Sequence, residues 1–196
     1  MVERRNMADG LMVDGAYRIF LRELREEDID ERYVSWFEQP DSLLDFYSGS
    51  GRSFNRDSLL AELKDARRSQ TVFFYAIVHR ASAQVIGNVK IGPINKRHKT
   101  SDLATLIGDR AYLGKGLGTE AVALGNAIAF DQHDIRKLYS GMYAANIASI
   151  KAYAAAGWTV EGTLRGQYLV DGKAMDRVLM ACFNPKYFPN APQAQP

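Results

Sequence analysis

Leu113-Gly114-Lys115-Gly116-Leu117-Gly118-Thr119-Glu120 lies between a strand-like run and a long amphipathic run, and it constrains the fold more than any other stretch. Three glycines in five residues leave backbone N–H groups that no Cβ covers. From Thr119 to Phe130, Ala121, Leu124, Gly125 and Ile128 recur at helical spacing, so those amides fall at a helix N-terminus. Orphan donors and the positive end of the helix dipole attract phosphate there. A Walker A loop is excluded: five residues, not four, separate Gly108 from Gly114, and Gly116 follows Lys115. A dinucleotide fingerprint is met only formally, from Gly116 through Gly118 to Ala121. The acidic residue it needs about 20 positions on is missing at the end of Tyr139–Tyr143. A Gly-rich turn with no ligand is the bland alternative.

With 196 residues the chain fits one domain with a sizeable core. A formal charge of +2 is too mild to argue for a nucleic-acid partner. Cys182 is the only cysteine, which rules out an intrachain disulfide, and His79, His98 and His133 lack metal-ligand spacing, so no metal is expected. Met1–Gly15 has no continuous apolar stretch of the signal-peptide kind, and no run approaches a membrane span. These features predict a cytoplasmic protein with no membrane partner.

Residues 1–16 carry charge, Gly and Met without period and read as a loose arm; 17–183 form the domain; the Pro-rich end, 184–196, reads as a frayed tail. Tyr17–Arg22 alternates as a strand. Ile29, Tyr33, Trp36 and Phe37 share a helix face that Glu26-Glu27-Asp28 would start and Pro40 would close. Asp41–Ser53 is a loop with Phe46 and Tyr47, and Asn55 or Asp57 caps a second helix. Thr71–His79 and Val85–Ile94 pair across Ala81–Gln84, with Pro93 ending the second strand near Gly92. In Ser101–Ile107 the period of two puts Asp102, Ala104 and Leu106 on one face, Leu103, Thr105 and Ile107 on the other. Lys137–Tyr143 is a strand, Asn146 starts a short helix ending at Gly157, and Asp171-Gly172 joins two final strands as a hairpin. The order β-α-α-β-β-β-α-β-α-β-β predicts an α/β (α+β) domain: a mixed, mostly antiparallel sheet of about seven strands with helices on both faces.

Leu113-Gly114-Lys115-Gly116-Leu117-Gly118 resembles the cofactor signature Arg/Gln-x-x-Gly-x-Gly/Ala of the GNAT superfamily of acyl-CoA-dependent N-acetyltransferases, with Leu113 in place of the usual Arg or Gln. Asn146-x-x-Ser149-x-x-x-Tyr153-x-x-x-Gly157-Trp158 is similar to a second family segment. Tyr33-Val34-Ser35-Trp36, Glu161-Gly162-x-Leu164-Arg165 and Asp171-Gly172-Lys173 with Asp176 look like the ribosomal-protein-acetyltransferase-like branch, which includes relatives that acetylate amino-sugar nucleotides. The resemblance runs from about Tyr17 to Phe183.

It implies acetyl-CoA as donor. The loop amides of residues 113–119 would hold the pyrophosphate, and the open strand edge at Leu106 and Ile107 would pair with the pantetheine amides. Asn146 would bind the pantetheine arm or a water near the sulfur. Tyr153 would protonate the departing sulfur, with Ser149 helping or substituting. Asp102, where many relatives carry Glu, would serve as base through a water, provided burial raises its pKa. Against these roles stand plain ones: an N-cap Asn, a core Tyr and a surface Asp at a strand end. Glu161 and His98 are lesser base candidates. Cys182 alternates with Val178 and Met180 in a strand and reads as a buried structural thiol.

The expected reaction is direct acetyl transfer to a primary amine. The acceptor would be an amino sugar or a nucleotide-linked amino sugar, stacked on Trp36, Phe46 and Tyr47 with Lys96–Lys99 meeting phosphates. Those residues serve equally well as a helix seam and a solvated turn. A protein N-terminus is the alternative acceptor, and a catalytically silent acyl-CoA-binding module the alternative class. A homodimer is compatible with all of these readings.

Overall fold

The structure, a computed structural model, describes residues 17–38 and 54–190. Seven strands form one sheet in the order β1-β2-β3-β4-β5-β7-β6. They are β1 (Ile19–Glu23), β2 (Phe73–His79), β3 (Val85–Ile91), β4 (Thr100–Ile107), β5 (Lys137–Tyr143), β6 (Thr159–Val170) and β7 (Lys173–Phe183). The helices are α1 (Glu31–Glu38), α2 (Arg56–Ser69), α3 (Leu117–Asp131) and α4 (Ile147–Ala155). The predicted order of elements is the observed one. The N-terminal arm, Pro40 and the loop carrying Phe46 and Tyr47 lie outside the described residues.

Local chemistry sets the boundaries. Asn55, not Asp57, caps α2: it accepts from the Ser58 amide at 2.8 Å while Ser58 Oγ accepts from the Asn55 amide at 3.0 Å. Glu26–Asp28 forms a separate 3-10 turn instead of the first turn of α1, since Asp28 is drawn to Arg22 at 2.6 Å. Asp171 and Gly172 both adopt positive φ, 49° and 74°, the backbone a two-residue β-hairpin requires. Helix α3 begins at Leu117, two residues earlier than its apolar period suggests, with Gly116 (φ 76°) as N-cap.

Two cores sandwich the sheet. Helices α3 and α4 cover one face through Leu117, Leu124, Ile128 and Tyr153, joined by Trp158 from the turn after α4, against Ile77, Val89, Leu103 and Leu138. Helices α1 and α2 cover the other through Tyr33, Trp36, Phe37, Leu59 and Leu63 against Ala76 and Val78. Trp36 is only 3% exposed. It fills the space over Gly108, where an added Cβ would lie 2.1 Å from the indole. Trp36 is therefore a core residue and offers no stacking wall to a ligand, because its apolar area belongs to the α1 seam. The start of the expected frayed tail is also tied down. Asn184 is buried and donates to the Ile135 carbonyl at 2.8 Å, and the Tyr187 hydroxyl bonds Asp134 at 2.8 Å.

The central strands matter most for function. β4 and β5 run parallel but pair through only three rungs, Thr100–Lys137, Ser101–Leu138 and Asp102–Tyr139. Beyond Asp102 each follows its outer neighbour instead, β4 pairing with β3 up to Ile107 and β5 with β7 up to Tyr143. The sheet is thus split by a gap that opens at Leu103.

Candidate active site

The β4 edge of this gap follows from strand alternation. The Asp102 carbonyl accepts from the Gly92 amide at 3.0 Å, and the Gly108 amide donates to the Ile86 carbonyl at 2.9 Å, so even-numbered β4 residues turn their backbone polar groups toward β3. Leu103, Thr105 and Ile107 therefore present theirs to the gap. This corrects one expectation: Leu106 pairs with Asn88 of β3 and packs its side chain among the α1/α2 core. Ile107 keeps the edge position, and Leu103 and Thr105 join it.

Tyr153 closes the gap from the α3/α4 side. It is 5% exposed, and its hydroxyl donates to the Leu103 carbonyl at 3.1 Å, the first carbonyl beyond the last rung. Burial holds its pKa well above the ordinary phenol value, opposed by the Thr105 and Ser140 hydroxyls and reinforced by the Asp102 charge, so Tyr153 keeps its proton. The Trp158 ring packs edge-on at 4.9 Å and fixes the phenol. Asn146 is the N-cap of α4, accepting from the Ser149 amide at 3.1 Å. The cap occupies Asn146 Oδ1 and leaves its amide nitrogen for any further contact. Ser149 is half-buried one turn from Tyr153.

Asp102 lies on the opposite face. Its Oδ1 is buried without a hydrogen-bond partner. Desolvation lifts its pKa to about 6, against the pull of the Arg177 and Lys90 charges and the Leu103 amide. Tyr139, its partner across the last rung, remains 41% exposed. Below it opens a cleft of about 460 Å³ lined in part by His98, Arg136, Lys137, Tyr139, Glu161 and Arg177. Glu161 is held by Lys137 at 2.6 Å, which ties up that candidate base. His98 lines the same cleft, whereas Lys99 is bound to Asp134 at 2.6 Å, so the expected basic patch is divided between cleft and scaffold.

The glycine loop sits at the N-terminus of α3, at the end of β4 where the gap is open. No side chain caps the helix. A Cβ at Gly114 would meet nothing within 4 Å. Leu117 is 2% exposed, so only its amide is available, while Leu113 and Lys115 are exposed and the Lys115 ammonium lies 5.6 Å from the Tyr112 ring centroid. One contributor was not legible in the spacing. Arg18 donates to the Lys115 carbonyl and to Glu120 in the first turn of α3, both at 2.7 Å, pinning the loop and adding a cation beside it. Bare amides, a nearby guanidinium and a free strand edge together suit the pyrophosphate and amide arm of an acyl-CoA.

Cys182 is 7% exposed in the sheet, with its thiol pushed up to about 11 by burial, as a structural thiol should be. Among the described residues, no cluster of His, Cys, Asp and Glu could hold a metal ion, and no helix is long and apolar enough to cross a membrane.

A sheet split between parallel central strands, beside an uncapped helix N-terminus, offers both a strand edge and an anion site to an extended, phosphate-bearing ligand. The pattern of the acetyltransferase (GNAT) domain family matches residues 18–159, and the chain belongs to that family. It is an acyl-CoA-dependent N-acetyltransferase with acetyl-CoA as donor. Among curated relatives, spermidine N(1)-acetyltransferase of Escherichia coli (strain K12) is 27% identical over 173 residues, 88% of this chain and 89% of the relative. The probable N-acetyltransferase YjcK of Bacillus subtilis (strain 168) is 24% identical over 175 residues, covering 85% and 94%. Among solved structures, a spermidine N-acetyltransferase from Vibrio cholerae in complex with CoA and spermine superposes with TM-score 0.77 at 19% identity, covering 87% of this chain and 98% of that one. A ribosomal-protein-S5-alanine acetyltransferase from Vibrio fischeri gives 0.75 at 19%, covering 91% and 98%. These last two likenesses speak for the fold.

Proposed function

We propose that this enzyme moves the acetyl group in one step to a small primary amine, with Asp102 as general base and Tyr153 as the acid. Acetyl-CoA supplies a thioester whose carbonyl carbon accepts the amine and whose sulfur leaves needing one proton. The chain's task is to take a proton from the amine, deliver one to the sulfur and exclude a covalent detour. The observation that carries this reading is the pairing across the gap: a buried carboxylate with one oxygen unpartnered on one face, a protonated phenol on the other. With a pKa near 6, Asp102 is ionised at neutral pH yet far more basic than an ordinary carboxylate. Tyr153, its pKa raised, always has a proton to give and must shift its hydroxyl from the Leu103 carbonyl to do so. Ser149 supports it from the same helix, and the amides of Gly114 to Thr119 hold the pyrophosphate. Direct transfer suits a chain whose lone thiol is buried and largely protonated.

For the acceptor, the cleft volume and exposed Tyr139 favour an amino sugar, free or nucleotide-linked: about 460 Å³ holds a ligand of that size, and a phenol face suits a sugar ring. A polyamine is the second reading, on the strength of the spermidine acetyltransferase at 27% identity. An acceptor screen spanning amino sugars, their nucleotides, N-terminal peptides and spermidine, read by release of CoA thiol, decides between them. Binding of acetyl-CoA without thiol release against any amine would overturn the transferase reading in favour of a silent binding module.

A further inference from the structure

We propose that Arg177 is the specificity determinant of the acceptor site, and that the acceptor carries an anionic group, carboxylate or phosphate, beside its amine. This rests on the amine-acetylation reading above and narrows its substrate class.

The argument starts from one glycine. β5 and β7 pair with Tyr143 opposite Arg177 and Gly141 opposite Leu179, so Arg177 projects on the same sheet face as Tyr139 and Asp102. Its side chain then folds back over Gly141. A Cβ there would fall 2.0 Å from Nε, 2.3 Å from Nη2 and 2.4 Å from Cζ. The guanidinium thus lies two residues along β5 from the Asp102 row, roughly 6–7 Å at strand rise. The Tyr168 ring lies 5.8 Å from Cζ and stacks in turn on Tyr143 at 3.9 Å, which braces the group from β6. Nε is buried with no hydrogen-bond partner. A guanidinium braced on an aromatic ring, with an unmet donor at the wall of an open cleft, is built to receive an anion.

The rest of the cleft agrees in sign. Its lining sets three cations, Arg136, Lys137 and Arg177, against one carboxylate, Glu161, which Lys137 already binds. Arg136 spends its Nε on the His98 carbonyl, which leaves its charge uncompensated. Nearby Lys90 is paired with Glu62 at 3.0 Å, so among the described residues of the cleft Asp102 is the carboxylate left to face an amine. A polyamine brings several positive charges and would meet this cationic wall unfavourably. An amine with an anion several ångströms away matches both poles.

Matched acceptors test this: glucosamine 6-phosphate against glucosamine for phosphate, and 4-aminobutanoate against 4-aminobutanamide for carboxylate, with spermidine alongside. The wild type is expected to show a KM lower by about tenfold or more for the anionic member of at least one pair. Arg177→Gln should erase that preference by raising KM for the anionic member more than it lowers kcat, and Arg177→Lys should restore part of it. Gly141→Ala, which displaces the guanidinium without removing it, should act like Arg177→Gln. Calorimetric acetyl-CoA binding in each preparation verifies folding. Equal losses on both members of a pair, no preference for either anion, or a higher kcat/KM for spermidine than for any anionic amine would overturn the assignment while leaving the transferase reading intact. Failure of every amine to release thiol would take both down together.

Discussion

The two faces of the β4–β5 gap are built to opposite rules. On the α3/α4 face almost every buried polar group is spoken for: Tyr153 bonds the Leu103 carbonyl, the Trp158 indole donates to Asn126, and Asn126 donates to the Ala156 carbonyl. On the opposite face, Asp102 Oδ1, Arg177 Nε and the Tyr168 hydroxyl are buried with no partner. A satisfied network stabilises and fixes geometry, whereas unmet buried groups cost stability unless a ligand meets them. On the proposed reading the first face is a rigid wall for the donor, and the second holds unmet interactions for the acceptor.

Removing the base should have the largest effect. Asp102→Asn is expected to lower kcat by a factor of about 100 or more while acetyl-CoA binding, followed calorimetrically, stays unchanged. The same variant should be more stable at pH 8. Because the folded-state pKa is raised from 3.8 to about 6, the ionised carboxylate burdens the fold above pH 6, and that burden is relieved as pH falls through 6 toward 4. On the order of 2 kcal/mol is at stake once partial exposure is allowed for. Denaturant melts at pH 8 and pH 5 check the sign. If Asp102→Asn is neither slower nor more stable, the contrast between the faces is wrong.

Tyr153→Phe comes next. It should reduce kcat by about tenfold or more and, by stranding the Leu103 carbonyl, cost about 1–2 kcal/mol of stability. Loss of stability with kcat intact would reduce Tyr153 to a core residue, and the donor face to pure scaffold.

A subtler test uses pH. The wild-type rate should fall on the acid side with a midpoint near 6, as Asp102 takes up its proton. The groups acting on it are Lys90 from β3, Arg177 from β7, and Tyr139, Tyr153 and Tyr168 from β5, α4 and β6. Arg177 favours the ionised form, so Arg177→Gln should move that midpoint upward. An unmoved limb means that another group titrates.

The smallest effect is expected at the loop. Arg18→Ala removes the clasp on the Lys115 carbonyl and Glu120, and should raise the KM for acetyl-CoA by about two- to fivefold with kcat for a saturating amine little changed. A change confined to the acceptor KM would detach Arg18 from the donor side.

What the chain announces by itself is whatever depends on neighbours in sequence. The glycine spacing marks the α3 N-terminus, Asp171-Gly172 marks a hairpin, and the period of two in β4 assigns Asp102 and Leu103 to opposite faces. Each is a backbone preference acting over a few residues. The same reasoning read Cys182 as a buried thiol, and it is buried in the sheet. That reasoning left Trp36 open between a ligand wall and a helix seam, because an aromatic looks alike in sequence whether it meets a ligand or Gly108. It also placed Leu106 on the open edge, because alternation gives two edges without saying which neighbour lies on each.

Only the tertiary structure decides what Arg177 does. A lone Arg among Val, Leu and Met in β7 is a faint signal, and nothing near it in sequence points to Gly141, thirty-six positions away. The β5–β7 register brings the two together, and the missing Cβ admits the guanidinium. The glycine loop at the α3 N-terminus is a local motif and was readable. The proposed acceptor site is made by strands that meet only on folding, so its chemistry depends on a register that no local preference encodes.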